Sequence, residues 1–124
     1  MTNEERIRAA WQGRISGCLL GKPVEMISMR EGPKGLNTFL QDSGSLPLRN
    51  YVNYMEHELL RGANKRCCLG MMDRAEVDDD ITYLVLALMM MEQYGLDLTT
   101  DDVARSWINL LPVGATFTAE RDSY

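Results

Sequence analysis

Three consecutive aspartates, Asp78-Asp79-Asp80, stand at the mouth of the most apolar run in the chain. Carboxylate oxygens grouped in this way favour hard divalent cations, Mg²⁺, Mn²⁺ or Ca²⁺, over zinc. Neighbouring like charges repel, most strongly beside a low-dielectric interior, and a bound cation removes that conflict. The same residues also read as an acidic first helical turn facing water, where a carboxylate caps free N–H groups and meets the positive dipole end. The apolar sequence directly behind the acids tilts the expectation toward the interior. A further carboxylate, Glu25, follows Pro23 and is expected on a loop, where catalytic residues concentrate. An EF-hand is excluded, because Tyr83 stands where its loop needs Gly and Met89 where it needs Glu. His57, flanked by Glu56 and Glu58, reads as a surface histidine, since no Ser or Cys nucleophile is placed to use it. No Walker A or Rossmann glycine pattern occurs.

These residues need elements to position them. Residues 81–94 are rich in Leu, Met and Ala, contain no Gly or Pro, and stop at Gly95, which predicts a helix with a glycine C-cap. Its apolar residues cover nearly every face, so it is expected to be the central, buried helix, with its consecutive methionines filling core gaps. Thr82, Glu92 and Gln93 interrupt it, and it is too short to span a membrane. At the N-terminus Thr2 and Glu5 form a capping box, followed by Ile7, Ala10, Trp11, Ile15, Cys18 and Leu19 at helical spacing. Gly13 and Gly17 within that stretch predict close approach of another backbone, since each costs about 1 kcal/mol against Ala. The helix is expected to end near Leu20-Gly21, with Pro23 turning the chain through Lys22-Pro23-Val24-Glu25.

Further on, the turn signals are Gly32-Pro33-Lys34-Gly35 and Asp42-Ser43-Gly44-Ser45, with a short helix at 36–41 between them. Leu46-Pro47-Leu48 is expected to be extended, and 51–60 to be a helix carrying Tyr51, Met55 and Leu59. Thr99 or Thr100 caps a last helix, with Asp101 and Asp102 as ordinary capping acids. Val103, Trp107, Leu110 and Leu111 give it a buried stripe, and Pro112 stops it. The tail, 113–124, is expected to carry no terminal element.

Size and composition set the bounds. A chain of 124 residues is one domain at most, and 45% hydrophobic with 25% charged residues is ordinary for a soluble globular protein. A net charge of -5 without a Lys/Arg cluster argues against a nucleic-acid-binding face. The polar N-terminus has no signal-peptide pattern. Cys18 and the pair Cys67-Cys68 lack zinc spacing and suit reduced thiols in a cytoplasmic protein.

Three segments together resemble the ADP-ribosylglycohydrolase family. Residues 14–25, Arg-Ile-Ser-Gly-Cys-Leu-Leu-Gly-Lys-Pro-Val-Glu, are similar to its opening helix, a Gly-Asp-Ala-Leu-Gly type of sequence followed by Glu. Asp78-Asp79-Asp80-Ile81-Thr82-Tyr83 is similar to its Thr-Asp-Asp-Thr-Gln-Met metal motif. Leu111-Pro112 followed by Thr116-Phe117-Thr118-Ala119-Glu120-Arg121 resembles a branch of the family with a triple Asp. The resemblance implies an all-α domain that binds two Mg²⁺ or Mn²⁺ ions and hydrolyses the N- or O-glycosidic bond joining ADP-ribose to an acceptor. Asp79 and Asp80 match the paired metal-binding Asp, Asp78 takes the position of a ligand Thr, and Glu25 matches the carboxylate near the substrate ribose. Cys18 replaces the usual Asp of the opening motif, and Ile81 the second Thr. The family's closing Gly-x-Asp-x-Asp-Thr/Ser motif has no match after Asp80. The resemblance therefore implies an N-terminal portion holding half of a metal site, inactive alone, whose exposed apolar surface would favour self-association. The alternative is an inactive helical remnant serving as a binding or structural module.

Overall fold

Thr2 opens the first helix, α1 (Asn3–Asp42), through the expected capping box: its hydroxyl accepts the Glu5 N–H at 3.2 Å, and the Glu5 carboxylate accepts the Thr2 N–H at 2.7 Å. The structure, a computed structural model, describes residues 1–123, the side chain of Thr118 excepted. Tyr124 and that side chain, which belong to the expected tail and to the third resembling segment, lie outside the described residues. Two compact units, Met1–Glu76 and Val77–Tyr124, each gather a core of their own. Both are helical, and the described residues form no strand, only an isolated parallel bridge between Asn53 and Leu69. The all-α class is therefore observed.

α1 does not end at Gly21, as expected, but runs on through Pro23. A proline inside a helix costs about 3 kcal/mol, because one ladder bond is lost and its ring crowds the preceding turn. Beyond that point Val24 and Ile27 continue the helical spacing from Leu20, and all three pack into the first unit's core. Burying such side chains stabilises by about 1.5–3 kcal/mol each, which outweighs the proline. Glu25 is consequently an exposed helical residue and not a loop residue. The expected close approach at Gly13 and Gly17 is also absent, since a Cβ at either would meet nothing within 4 Å.

The Gly32-Pro33 turn signal becomes a kink in α1. Gly32 takes φ 69° and ψ -170°, open to glycine alone at little cost, and Pro33 begins the next helical stretch, where its missing N–H is not needed. Past α1, Asn53 ties an irregular segment back to the helix end: its side-chain amide donates to the Ser43 and Gly44 carbonyls, both at 3.1 Å. Its backbone N–H donates to Ser45 Oγ at 3.0 Å. These bonds and the bridge to Leu69 hold 51–57 out of helical conformation, so the expected helix at 51–60 does not form. Ile27, Phe39, Val52, Leu60 and Cys68 make the core of this unit. A short helix, α2 (Gly62–Arg66), follows, and Arg66 reaches Glu76 with a forked pair of bonds at 2.5 and 2.9 Å. Glu76 is buried, and the Arg66 guanidinium, with Arg74 beside it, holds its carboxyl down at about 2.

In the second unit, α3 (Asp79–Tyr94) ends as expected at Gly95, whose φ is 76°. α4 (Thr100–Leu110) packs against it, and a short α5 (Thr118–Ser123) closes the tail, where no element was expected. The expectation that α3 is buried on all sides is overturned: Leu86 and Met90 are buried, but Leu88 is 40% and Met91 45% exposed. α4 and the tail cover one face of α3 within the unit; the stripe of Tyr83, Leu86, Ala87 and Met90 meets Trp107 and Leu111 there. Leu110, placed in the buried stripe of α4, is 48% exposed, and Leu111 past the helix end fills the core in its stead. No helix among the described residues is long and apolar enough to cross a membrane.

Candidate functional site

The acidic head of α3 is built by the cap itself. Asp78 is the N-cap, with extended backbone, and its Oδ1 accepts the Asp80 N–H at 3.1 Å. Its carbonyl accepts both the Thr82 N–H at 3.0 Å and the Thr82 hydroxyl at 2.9 Å. This folding-back brings carboxylate oxygens of Asp78 and Asp80 within 4.8 Å of one another. Asp79 does not join them, and the three carboxylates make no common cluster. Asp78 and Asp79 are half-buried and Asp80 is exposed. Glu25 lies in the first unit and the three aspartates in the second.

One turn behind Asp80 sits a residue that sequence reasoning passed over. The Tyr83 ring stacks on Trp107 at 5.3 Å with the planes 16° apart, and its hydroxyl is buried near the Phe117 backbone. Burial raises its pKa, and the charges of Glu120, Asp79 and Asp80 push the same way. Its position three residues after Asp80 was the available signal, since such residues share a helix face.

His57, expected on the surface, is half-buried and fully engaged. Its Nε2 pairs with Glu31 at 3.1 Å, its Nδ1 accepts the Leu59 N–H at 3.2 Å, and Phe39 meets its ring edge-on at 5.5 Å. No ring nitrogen is left for proton transfer to a substrate, so His57 is a packing residue. Glu31 reaches it by folding over Gly35, where a Cβ would collide with the Glu31 side chain. Cys18, Cys67 and Cys68 are in no disulfide, and burial, with Cys67 beside it, pushes the Cys68 thiol up to about 11. That thiol is a poor nucleophile at neutral pH.

Compared with protein-family profiles, with curated proteins and with solved structures, the chain matches none.

Proposed function

We propose that the chain belongs to a divalent-metal-dependent hydrolase that removes ADP-ribose from an acceptor by cleaving an N- or O-glycosidic bond. The observation that carries this reading is the approach of the Asp78 and Asp80 carboxylates at the head of α3, where the resembling motif has its metal ligands. The donor set fits the ion: Mg²⁺ or Mn²⁺ is held through one or two carboxylates and keeps several waters. Asp78 and Asp80 would hold it, with Asp79 adding negative charge alongside. When bound, such an ion supplies Lewis acidity toward ribose hydroxyls and water. On the same resemblance, Glu25 serves the substrate side as the carboxylate that exchanges a proton. With ligands from one motif, this stretch supplies half of a two-metal site. Three thiols outside any disulfide fit a cytoplasmic setting.

A second reading keeps the fold without catalysis, as a helical binding or structural module. It draws on the exposed apolar side chains of the second unit, Leu88, Met89 and Met91 on α3 and Ile108 on α4. Two measurements separate the readings: a thermal melt across a Mn²⁺ titration, and release of ADP-ribose from ADP-ribosylated arginine with Mn²⁺ present. A metal-dependent shift that Asp78→Asn with Asp80→Asn removes supports the metal site, and release of ADP-ribose supports the hydrolase. No shift and no release, together with concentration-dependent association, would favour the module.

A further inference from the structure

His57 is tied to two parts of the first unit at once, through the two nitrogens of one ring. Its Nδ1 accepts the Leu59 N–H at 3.2 Å, and its own carbonyl accepts the Leu60 N–H at 3.0 Å. Both bonds close the turn at 58–59, the side chain acting as an Asn or Asp does when it bonds the backbone two residues on. On the other side of the ring, Nε2 lies 3.1 Å from a Glu31 carboxylate oxygen on α1. Phe39 meets the ring edge-on, and Gly35 leaves room for the Glu31 side chain, which a Cβ there would strike. Directly after the turn, Leu60 is buried in the core.

A neutral imidazole has one acceptor nitrogen and one donor nitrogen. Since Nδ1 accepts, the ring proton sits on Nε2, on the side of Glu31. A second proton can go only to Nδ1, where it takes the lone pair that the Leu59 N–H uses. Two N–H groups then point at each other, and that bond is lost. The charge gained strengthens the contact with Glu31, because an ionised donor and an ionised acceptor bond more strongly than neutral ones. The remaining charged groups around the ring balance. Glu56 and Glu58 flank it, and Arg61 and Lys65 line the same cleft with Tyr54, the Lys65 ammonium lying over the Tyr54 ring. Glu31 therefore decides which way the charged ring is drawn.

We propose that protonation of His57 switches its hold from the 57–60 turn to α1, so that mild acid loosens this turn while the core beneath it stays closed. Imidazoles ordinarily change charge between about pH 8 and pH 5, the range over which the switch acts. The device is local: it exchanges one tether for another and leaves the bond between the His57 carbonyl and the Leu60 N–H in place.

The test uses the full chain, labelled with ¹⁵N and ¹³C, followed by NMR from pH 8 to pH 5. At pH 8 the ring ¹⁵N resonances should show the proton on Nε2. On acidification the hydrogen-exchange protection of the Leu59 N–H, corrected for the intrinsic rate at each pH, should fall about two- to tenfold, the range of one neutral hydrogen bond. The Glu31 carboxylate ¹³C resonance should move with the same midpoint, and the amide of Ile27 in the core should keep its protection. His57→Asn keeps an acceptor oxygen for the Leu59 N–H but cannot take up a proton, so its Leu59 protection should be the same at both ends of the range. Four results would each overturn the proposal: a ring proton on Nδ1 at pH 8, Leu59 protection unchanged in the parent, an equal fall in His57→Asn, or an equal fall at Ile27.

Discussion

Two helices of the second unit begin with acidic residues, and they spend them differently. At the start of α4, Asp102 closes a capping box: its carboxylate accepts the Thr99 N–H at 3.1 Å and the Thr99 hydroxyl, which in turn accepts the Asp102 N–H at 3.3 Å. Those bonds from Thr99 hold the Asp102 carboxyl below its ordinary range. At the start of α3 the cap takes a single carboxylate oxygen, Oδ1 of Asp78, and the Asp80 carboxylate is drawn up beside it. The count of acids is therefore a poor guide to metal binding. What matters is how many carboxylate oxygens the cap leaves over, and whether they converge.

The largest effect that could break this contrast is a metal-dependent one. At a hundredfold excess over its dissociation constant, a single bound Mn²⁺ should stabilise the fold by about 2.7 kcal/mol. A melt across a Mn²⁺ titration at constant ionic strength reads this. Asp78→Asn with Asp80→Asn should abolish the rise, and Asp101→Asn should leave it whole. Equal loss in both variants would mean that the two helix starts are alike.

Next in size is the cap of α4. Thr99→Ala should cost about 1 kcal/mol in denaturant unfolding, the usual value of an N-cap hydroxyl. Acid titration sharpens the same point. The folded Asp102 pKa is depressed, so its contribution is complete above about 3.9, the unfolded value, and is lost as the pH falls through the folded one. Thr99→Ala should flatten this part of the acid limb. The Glu76 contribution in the first unit follows the same sign, complete above about 4.5 and lost toward about 2, and should persist in Thr99→Ala. The smallest effect is expected for Asp79→Asn and Glu25→Gln without metal, within about 0.5 kcal/mol of the parent and stabilising, if anything, for Asp79→Asn as repulsion is relieved.

The parts of the fold that could be read in advance are those decided within a few residues. The cap at Thr2, a cap at Thr99 or Thr100 and the glycine stop at Gly95 depend on local bonds and appear where the residue types put them, with Thr99 taking the second cap; α3 begins two residues before the expected Ile81, with Asp78 as its cap. The misreadings come from contacts across long stretches of chain. Pro23 carries a stop signal of its own, which burial of Leu20, Val24 and Ile27 overrides. Tyr51, Met55 and Leu59 happen to fall at helical spacing, while Asn53 binds its segment to a turn ten residues earlier. The burial of α3 was misjudged because an apolar face is a property of the helix and its cover a property of the partners. At the candidate site the acids could be named, but which two of the three converge depends on the backbone of the cap. The Tyr83 hydroxyl was missed because nothing in its neighbours in sequence marks it as buried.

The start of α1 has one more consequence. Every residue from 1 to 10 is exposed, so its first turns are held by the Thr2–Glu5 box, by the Arg8–Glu4 pair at 3.4 Å, and by continuity with the turns behind them. Helix growth from an existing turn is nearly neutral per residue, whereas starting one is costly. Those turns should therefore fray from the end inward, without waiting for the core of the unit to open. Hydrogen exchange along α1 would form a gradient, fast at Arg6 and slowing toward Ile27, and its slope would measure the helix–coil balance of this stretch separately from the stability of the fold.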